Sequence, residues 1–259
     1  MMTADASGPM GILFDATSCV GCHACVAACI EKQGFDEDPD EVLQLSATAY
    51  TAVVERGDHW ERRMCRHCVD PACASVCAVG ALRKTDLGPV TYDASRCMGC
   101  RYCMVACPFD VPRYEWFEPA PVVRKCDMCY DRLLRGEPTA CSEACFTGAT
   151  MTGRRDDLLE EARARIAAHP DAYDPHICGA EEIGGTCVIV LLPAGLDHEA
   201  CKADLGNEPL PRLTWDVLEK LPPLAITGAC ALAAFAWIVR RRNDGLARAA
   251  EQKGRLSHA

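Results

Sequence analysis

Apolar and polar positions along this chain form a few readable stretches separated by long tracts with no period. Residues 31–63 begin acidic and then alternate in "AYTAVVE", which predicts a loop followed by a strand or hairpin. Asp86, Leu87, Gly88 and Pro89 give a turn signal between two short strands. "RRDDLLEEARARIAAHPD" sets Leu158, Leu159, Ala162 and Ile166 at helical spacing, and Pro170 closes that helix. "GTCVIVLL" reads as a buried strand after the turn at Gly184 and Gly185. The last apolar stretch, "LPPLAITGACALAAFAWIV", opens at Leu221, ends on Val239 and holds no charge between Lys220 and Arg240. Its length suits one short membrane span. A buried soluble helix would satisfy the same length, but Arg240, Arg241 and Arg242 put cations at one end only, which points to a membrane.

Charge sharpens that picture. The formal net charge is -10, which argues against a nucleic-acid partner. From Arg240 onward six Lys/Arg face two Asp/Glu, a balance of +4, so the preceding residues carry -14. By the positive-inside rule the basic tip belongs in the cytoplasm and the acidic body across the membrane. The sequence opens without an apolar secretory segment or a twin arginine, and the pairs Arg62-Arg63 and Arg154-Arg155 are internal. A folded body is then expected to cross attached to a partner that carries the export signal.

The chain holds 20 cysteines, and sixteen of them form four groups. These are Cys19, Cys22, Cys25 and Cys29; then Cys65, Cys68, Cys73 and Cys77; then Cys97, Cys100, Cys103 and Cys107; and finally Cys126, Cys129, Cys141 and Cys145. Disulfide frameworks belong to short secreted chains, and zinc knuckles bring together pairs that lie further apart. The first and third groups have bacterial ferredoxin spacing, and the second and fourth lengthen only the loop before the third thiol. Three such thiols can face three irons of a cube, while the fourth, past a turn of helix, reaches a neighbouring cube. Motifs therefore work in pairs, and four motifs imply four [4Fe-4S] clusters. Only Cys107 is followed by proline; Ile30, Ala78 and Phe146 stand in the other three places, which removes no sulfur. The turn at Asp86 joins motifs two and three into one unit, so motifs one and four must pair around it.

"CRHCVDPACASVC", "CMGCRYCMVACPFDVPRYEW" and "KCDMCYDRLLRGEPTAC" resemble the four-cluster iron–sulfur (beta) subunits of complex iron–sulfur molybdoenzymes and membrane-bound [NiFe] hydrogenases. The resemblance covers residues 12–239. Respiratory formate dehydrogenase ranks first within it, on the long loop of motif four and the lack of an export signal, and uptake hydrogenase second. It implies an α+β fold of two intertwined ferredoxin-like two-cluster units plus one C-terminal transmembrane helix. Residues 10–57 and 118–152 would be two halves of one unit and 58–117 the other. Residues 153–220 would form a helix and strand extension, 221–240 the span and 241–259 a basic cytoplasmic tail.

The resemblance also implies the ligand sets. Cys19, Cys22, Cys25 and Cys145 would hold the first cluster, and Cys126, Cys129, Cys141 and Cys29 the second. Cys65, Cys68, Cys73 and Cys107 would hold the third, and Cys97, Cys100, Cys103 and Cys77 the fourth. The implied protein is a non-catalytic electron carrier in the bacterial inner membrane, its clusters on the periplasmic side. It would link a molybdopterin (or [NiFe]) catalytic subunit to a membrane cytochrome b/quinone-reactive subunit, with lipid around Leu221 to Val239.

Nothing outside the four groups suggests catalysis: the chain shows no Ser/His/Asp set, phosphate loop or dinucleotide fingerprint. Chemistry at one of its own clusters would need an open iron, yet all sixteen positions are cysteine. A soluble carrier is opposed by the apolar tail. His23 and His67 read as packing or hydrogen-bonding residues. Cys178, Cys187, Cys201 and Cys230 are widely spaced and are expected to be small buried side chains. Arg66, Arg96, Arg101, Arg124 and Lys125 flank the motifs, as tuners of cluster potential or as ordinary surface charges.

Overall fold

The computed structural model describes residues 8–116, 122–196 and 201–256. The expected boundary between 117 and 118 and the last three residues of the expected tail lie outside them. The chain divides into a body ending at Pro211 and a helical unit from Arg212 onward. In chain order the body carries β1 (Met10–Asp15), α1 (Ala24–Gln33), β2 (Thr51–Arg56), β3 (His59–Met64), α2 (Ala72–Ser75), β4 (Leu82–Lys84) and β5 (Val90–Tyr92). It continues with α3 (Tyr102–Ala106), β6 (Arg113–Tyr114), β7 (Val123–Arg124), α4 (Tyr130–Leu134), α5 (Ala140–Glu143), β8 (Thr150–Arg154), α6 (Arg155–Ala168) and β9 (Val188–Leu191).

A three-stranded sheet, ordered β8-β1-β9, organises the body. β1 pairs antiparallel with β8 and parallel with β9. Side chains alternate along the strands. Leu13, Ile189 and Leu191 meet Leu158, Leu159 and Ala162 of α6, whereas Phe14 and Val190 face Cys178, Leu192 and Cys201 on the other side. α6 opens with Asp156 and Asp157 in its first turn, where acids complement the helix dipole, and stops two residues short of Pro170. The other strands form the two-stranded ribbons β2-β3, β4-β5 and β6-β7. The hairpins expected around 31–63 and at Asp86, the helix of 155–168 and the buried strand before Leu192 all form. β1 and β8 carry no comparable local signal.

The sheet ends where chemistry begins. Asp15 is fully buried at the end of β1, and its carboxylate accepts from Arg165 Nη1 at 2.8 Å, Tyr173 Oη at 2.8 Å and the Thr17 amide at 3.0 Å. This fixes the direction in which the chain leaves the sheet toward Cys19.

The second unit is helical, with α7 (Leu210–Leu218) running across its boundary and α8 (Leu221–Leu256) beyond. Pro222 and Pro223 fall in the first turn of α8, where a missing N–H removes no helical bond. The stretch Leu210–Arg248 contains the one helix among the described residues that is long and apolar enough to cross a membrane. Leu224, Ile226, Leu232, Phe235, Trp237 and Ile238 are all exposed on it.

Candidate metal centre

Every cysteine loop turns on a residue of positive φ two places beyond its first thiol: Gly21 at 66°, His67 at 49°, Gly99 at 73° and Met128 at 58°. The turn aims an amide back at the sulfur. Met128 N–H donates to Cys126 Sγ at 3.3 Å and Gly99 N–H to Cys97 Sγ at 3.5 Å, and the Gly21 amide bonds to Cys19. Glycine adopts this conformation freely, whereas side chains such as those of His67 and Met128 cost about 1–2 kcal/mol each there. At Gly21 a side chain would also run into the Trp60 ring. Fourth thiols receive amides too, from Ala81 to Cys77 Sγ at 3.2 Å and from Thr150 to Cys145 Sγ at 3.3 Å. Burial acts to raise Cys145, but bonds from Thr147, Thr150 and Ala149 outweigh it and bring the thiol down. Donors of this kind favour the thiolate a metal requires.

Two strand pairs join the motifs in the same register. Leu82, five residues beyond Cys77, pairs with Tyr92, five before Cys97. Thr150, five residues beyond Cys145, pairs with Phe14, five before Cys19. In the first pair a short turn connects the strands; in the second they come from opposite ends of the body. Likewise α2 packs on α3 and α1 on α5.

The thiols consequently lie in four neighbourhoods. Cys19 lies near Cys22, Cys25 and Cys145, and burial with these neighbours pushes it up. Cys29 lies among Cys141 and Cys129, raised to about 12 by burial and then by Cys141; Cys126, raised by its own burial, lies near Cys29. Cys68 is raised by burial and by Cys65, Cys107 and Cys73. Cys103 is raised to about 11 by burial and by Cys100, with Cys77 and Cys97 also near. Crowded, buried thiols resist ionising alone, and a metal that displaces their protons relieves the conflict. Four soft sulfurs in each neighbourhood fit [4Fe-4S] groups. So do His23 Nε2, His67 Nε2 and Arg62 Nη2, buried nitrogens in or beside the loops with no hydrogen-bond partner among the described residues.

His23 and His67 are hydrogen-bonded, as the sequence reading has them. His23 Nδ1 lies 2.9 Å from Asp40 Oδ1, and His67 Nδ1 accepts the Val90 amide at 2.9 Å. The flanking cations separate. Arg101 lies over the rings of Tyr114 and Trp116 at 4.7 and 4.5 Å, Arg66 over Phe109 at 5.7 Å, and Arg124 pairs with Glu115 at 2.5 Å. Arg96 is exposed. Lys125 is buried, its ammonium donating to the carbonyls of Val90 and Cys126. The cation that the sequence reading misses is Arg62, which looks there like half of an arginine pair in a polar strand yet is buried beside the thiols.

Two expectations about the remaining cysteines need correction. Cys178 and Cys201 are buried, but as the two ends of a disulfide with Cα atoms 5.1 Å apart, not as isolated side chains. Their 23-residue separation hides the pairing in the sequence; both pack in one buried cluster with Val190 of β9. His176 and Glu182 also place donor atoms within 4.8 Å of these sulfurs. Both sulfurs bond each other, however, and Glu182 bonds His176 at 2.5 Å and the Gly179 amide at 2.9 Å, so the group is a cross-link. Cys230 is exposed, because the apolar helix that carries it is exposed on every face. Cys187 is fully buried as expected, with Lys84 Nζ at 3.3 Å from its sulfur.

Loops of this kind on a mixed helix–strand body define a class, the multi-cluster iron–sulfur proteins, and residues 59–155 match the 4Fe-4S dicluster domain family. Within that class the chain belongs to the family of electron-transfer iron–sulfur subunits of formate dehydrogenase and hydrogenase type. It is 38% identical over 244 residues to a protein of Nitratidesulfovibrio vulgaris, covering 86% of this chain and 66% of that one. It is 36% identical over 238 residues to the hydrogenase-2 operon protein HybA of Escherichia coli O157:H7, covering 74% and 72%. It is 32% identical over 255 residues to the iron–sulfur subunit of the nitrate-inducible formate dehydrogenase of Escherichia coli K12, covering 88% and 82%.

Proposed function

We propose that this chain carries four [4Fe-4S] clusters and conducts electrons, without catalysis of its own, between a catalytic subunit and a membrane partner. The gathering of sixteen thiols into four neighbourhoods carries the reading. The four ligand sets are those named from the sequence, with Cys29 and Cys145 crossing between motifs one and four, and Cys77 and Cys107 between motifs two and three. Bound at those sulfurs, the clusters supply reversible one-electron transfer. The protein holds them in loops whose amides and buried cations offset negative charge. Cys126 lies near Cys65, and Cys73 near Cys103, so the second set adjoins the third and the third the fourth. The shared register of the two strand pairs supports the two ferredoxin-like units. No set has a non-cysteine position that would open an iron to substrate.

The catalytic partner in this reading is a molybdenum or tungsten formate dehydrogenase subunit, supported by the 82% coverage of the relative of that name. A second reading, the equivalent subunit of a [NiFe] hydrogenase, is favoured by the higher identity, 36%, to HybA. α8 is the anchor in the bacterial inner membrane, beside a cytochrome b/quinone-reactive subunit. The body is periplasmic and the arginine-rich end cytoplasmic; the Cys178–Cys201 bond supports this, since disulfides persist in oxidising compartments.

Metal analysis of the complex purified anaerobically tests the reading. About sixteen irons and about sixteen sulfides per chain are expected from four complete sets. Stoichiometric zinc with little iron overturns it, and molybdenum or tungsten against nickel in the co-purified subunit separates the two partners.

A further inference from the structure

Arg62 sits in the middle of β3 and is 2% exposed. Its Nε donates to Thr51 Oγ1 at 3.0 Å, and its Nη1 to Thr150 Oγ1 at 3.0 Å. These hydroxyls come from β2 and β8, so two strands hold the plane of the guanidinium in place. No carboxylate pairs with it among the described residues, and Nη2 has no oxygen or nitrogen partner there. A buried cation without a counter-charge is strongly unfavourable. The groups its charge acts on are the thiols of Cys141, Cys25 and Cys29, and Arg62 lines one small cavity with Cys29, Cys126, Cys129 and Cys141. Cys25 belongs to the first proposed ligand set, and Cys29 and Cys141 to the second. Arg62 is therefore built against negative charge contributed from both sets at once.

We propose that Arg62 couples the first two clusters electrostatically, as one fixed cation shared between them that raises the reduction potential of both. A positive charge in a low-dielectric setting stabilises the added electron, and hydrogen bonds and charge near a cluster are established levers on its potential. Because both sets feel the same cation, their potentials rise together and the step between them stays shallow. One electron leaving one set reduces the other, the net charge around Arg62 is unchanged, and its bonds to Thr51 and Thr150 need not rearrange.

The inference rests on the four-cluster reading, and the experiment keeps the two apart. In the anaerobically purified complex, the unmodified chain must first show about sixteen irons; a shortfall defeats the reading of function. Arg62→Met should then keep its iron and lower the midpoint potentials of two of the four paramagnetic signals together. The expected drop is at least a tenfold change in oxidised-to-reduced ratio at fixed poise, about 59 mV for one electron. Arg62→Lys, which keeps the charge, should hold both potentials near their original values. Full iron with all potentials unmoved in the Met variant overturns the inference, as does a shift in one signal alone or a Lys variant that shifts as far as Met. If Met blocks cluster insertion, the Lys variant decides. Full iron and unaltered potentials support the charge; altered potentials or lost clusters reject it.

Discussion

Gly21, His67, Gly99 and Met128 adopt the same left-handed turn at four places, and only two of them are glycines. At Gly21, Gly99 and Met128 the turn presents an amide to the sulfur on its inner side, and that amide reinforces the thiolate. The spacing makes it legible that three thiols face one cube, but not the left-handed residue at the turn, since His67 and Met128 give no local sign of it. Arg62 is not legible by the same means. Its burial depends on hydroxyls of Thr51 and Thr150, one 11 and the other 88 residues away along the chain. At this scale the crosswise ligand sets have a direct check. Cys97→Ala and Cys77→Ala lie in different motifs but should alter one and the same paramagnetic signal of the reduced complex. Disturbance of two different signals would show that the sets are assigned wrongly.

Elements with a local cause are the ones the sequence announces. The β2-β3 and β4-β5 hairpins close within their own turns, and α6 shows its apolar stripe within a few turns of chain. β1 and β8 are different: Met10 pairs with Arg154 and Phe14 with Thr150, so neither strand has its partner in view. The expected pairing of motifs one and four follows from elimination in the sequence, whereas the register of β1 against β8 gives the physical device that brings Cys145 toward Cys19. The disulfide is hidden for the same reason, since it closes a loop that carries β9 between its ends. Such a loop restricts the unfolded chain, and losing the bond should cost about 3 kcal/mol. Cys201→Ser should therefore lower the temperature at which the visible cluster absorbance bleaches, without changing iron content at low temperature. An unchanged bleaching temperature, with no mass difference on reduction of the unmodified chain, would show that the bond does not form in the cell.

The whole molecule is polarised: an acidic sequence carries the four cysteine groups ahead of the apolar stretch 221–239 of α8, and Arg240, Arg241 and Arg242 follow that stretch at once within the same helix. Cations flanking a span resist translocation, whereas acidic residues contribute little to orientation, so the three arginines decide the direction. They should hold the C-terminus in the cytoplasm. Alkaline phosphatase fused after Ala259 should be inactive, because that enzyme matures only outside the cytoplasm, where its disulfides form. Replacing Arg240, Arg241 and Arg242 by Ser should raise phosphatase activity by letting a fraction of chains reverse, while iron per chain stays constant because no ligand is touched. Deleting residues 221–259 should release the body from the membrane unless its partner subunits retain it. A fully active phosphatase on the unmodified chain would put the tail outside, and with a single span the cysteine-bearing body would then be cytoplasmic. The Cys178–Cys201 bond gives an independent reading of the same question: in a cytoplasmic body it should be found reduced, so thiol alkylation before and after reductant must agree with the fusion.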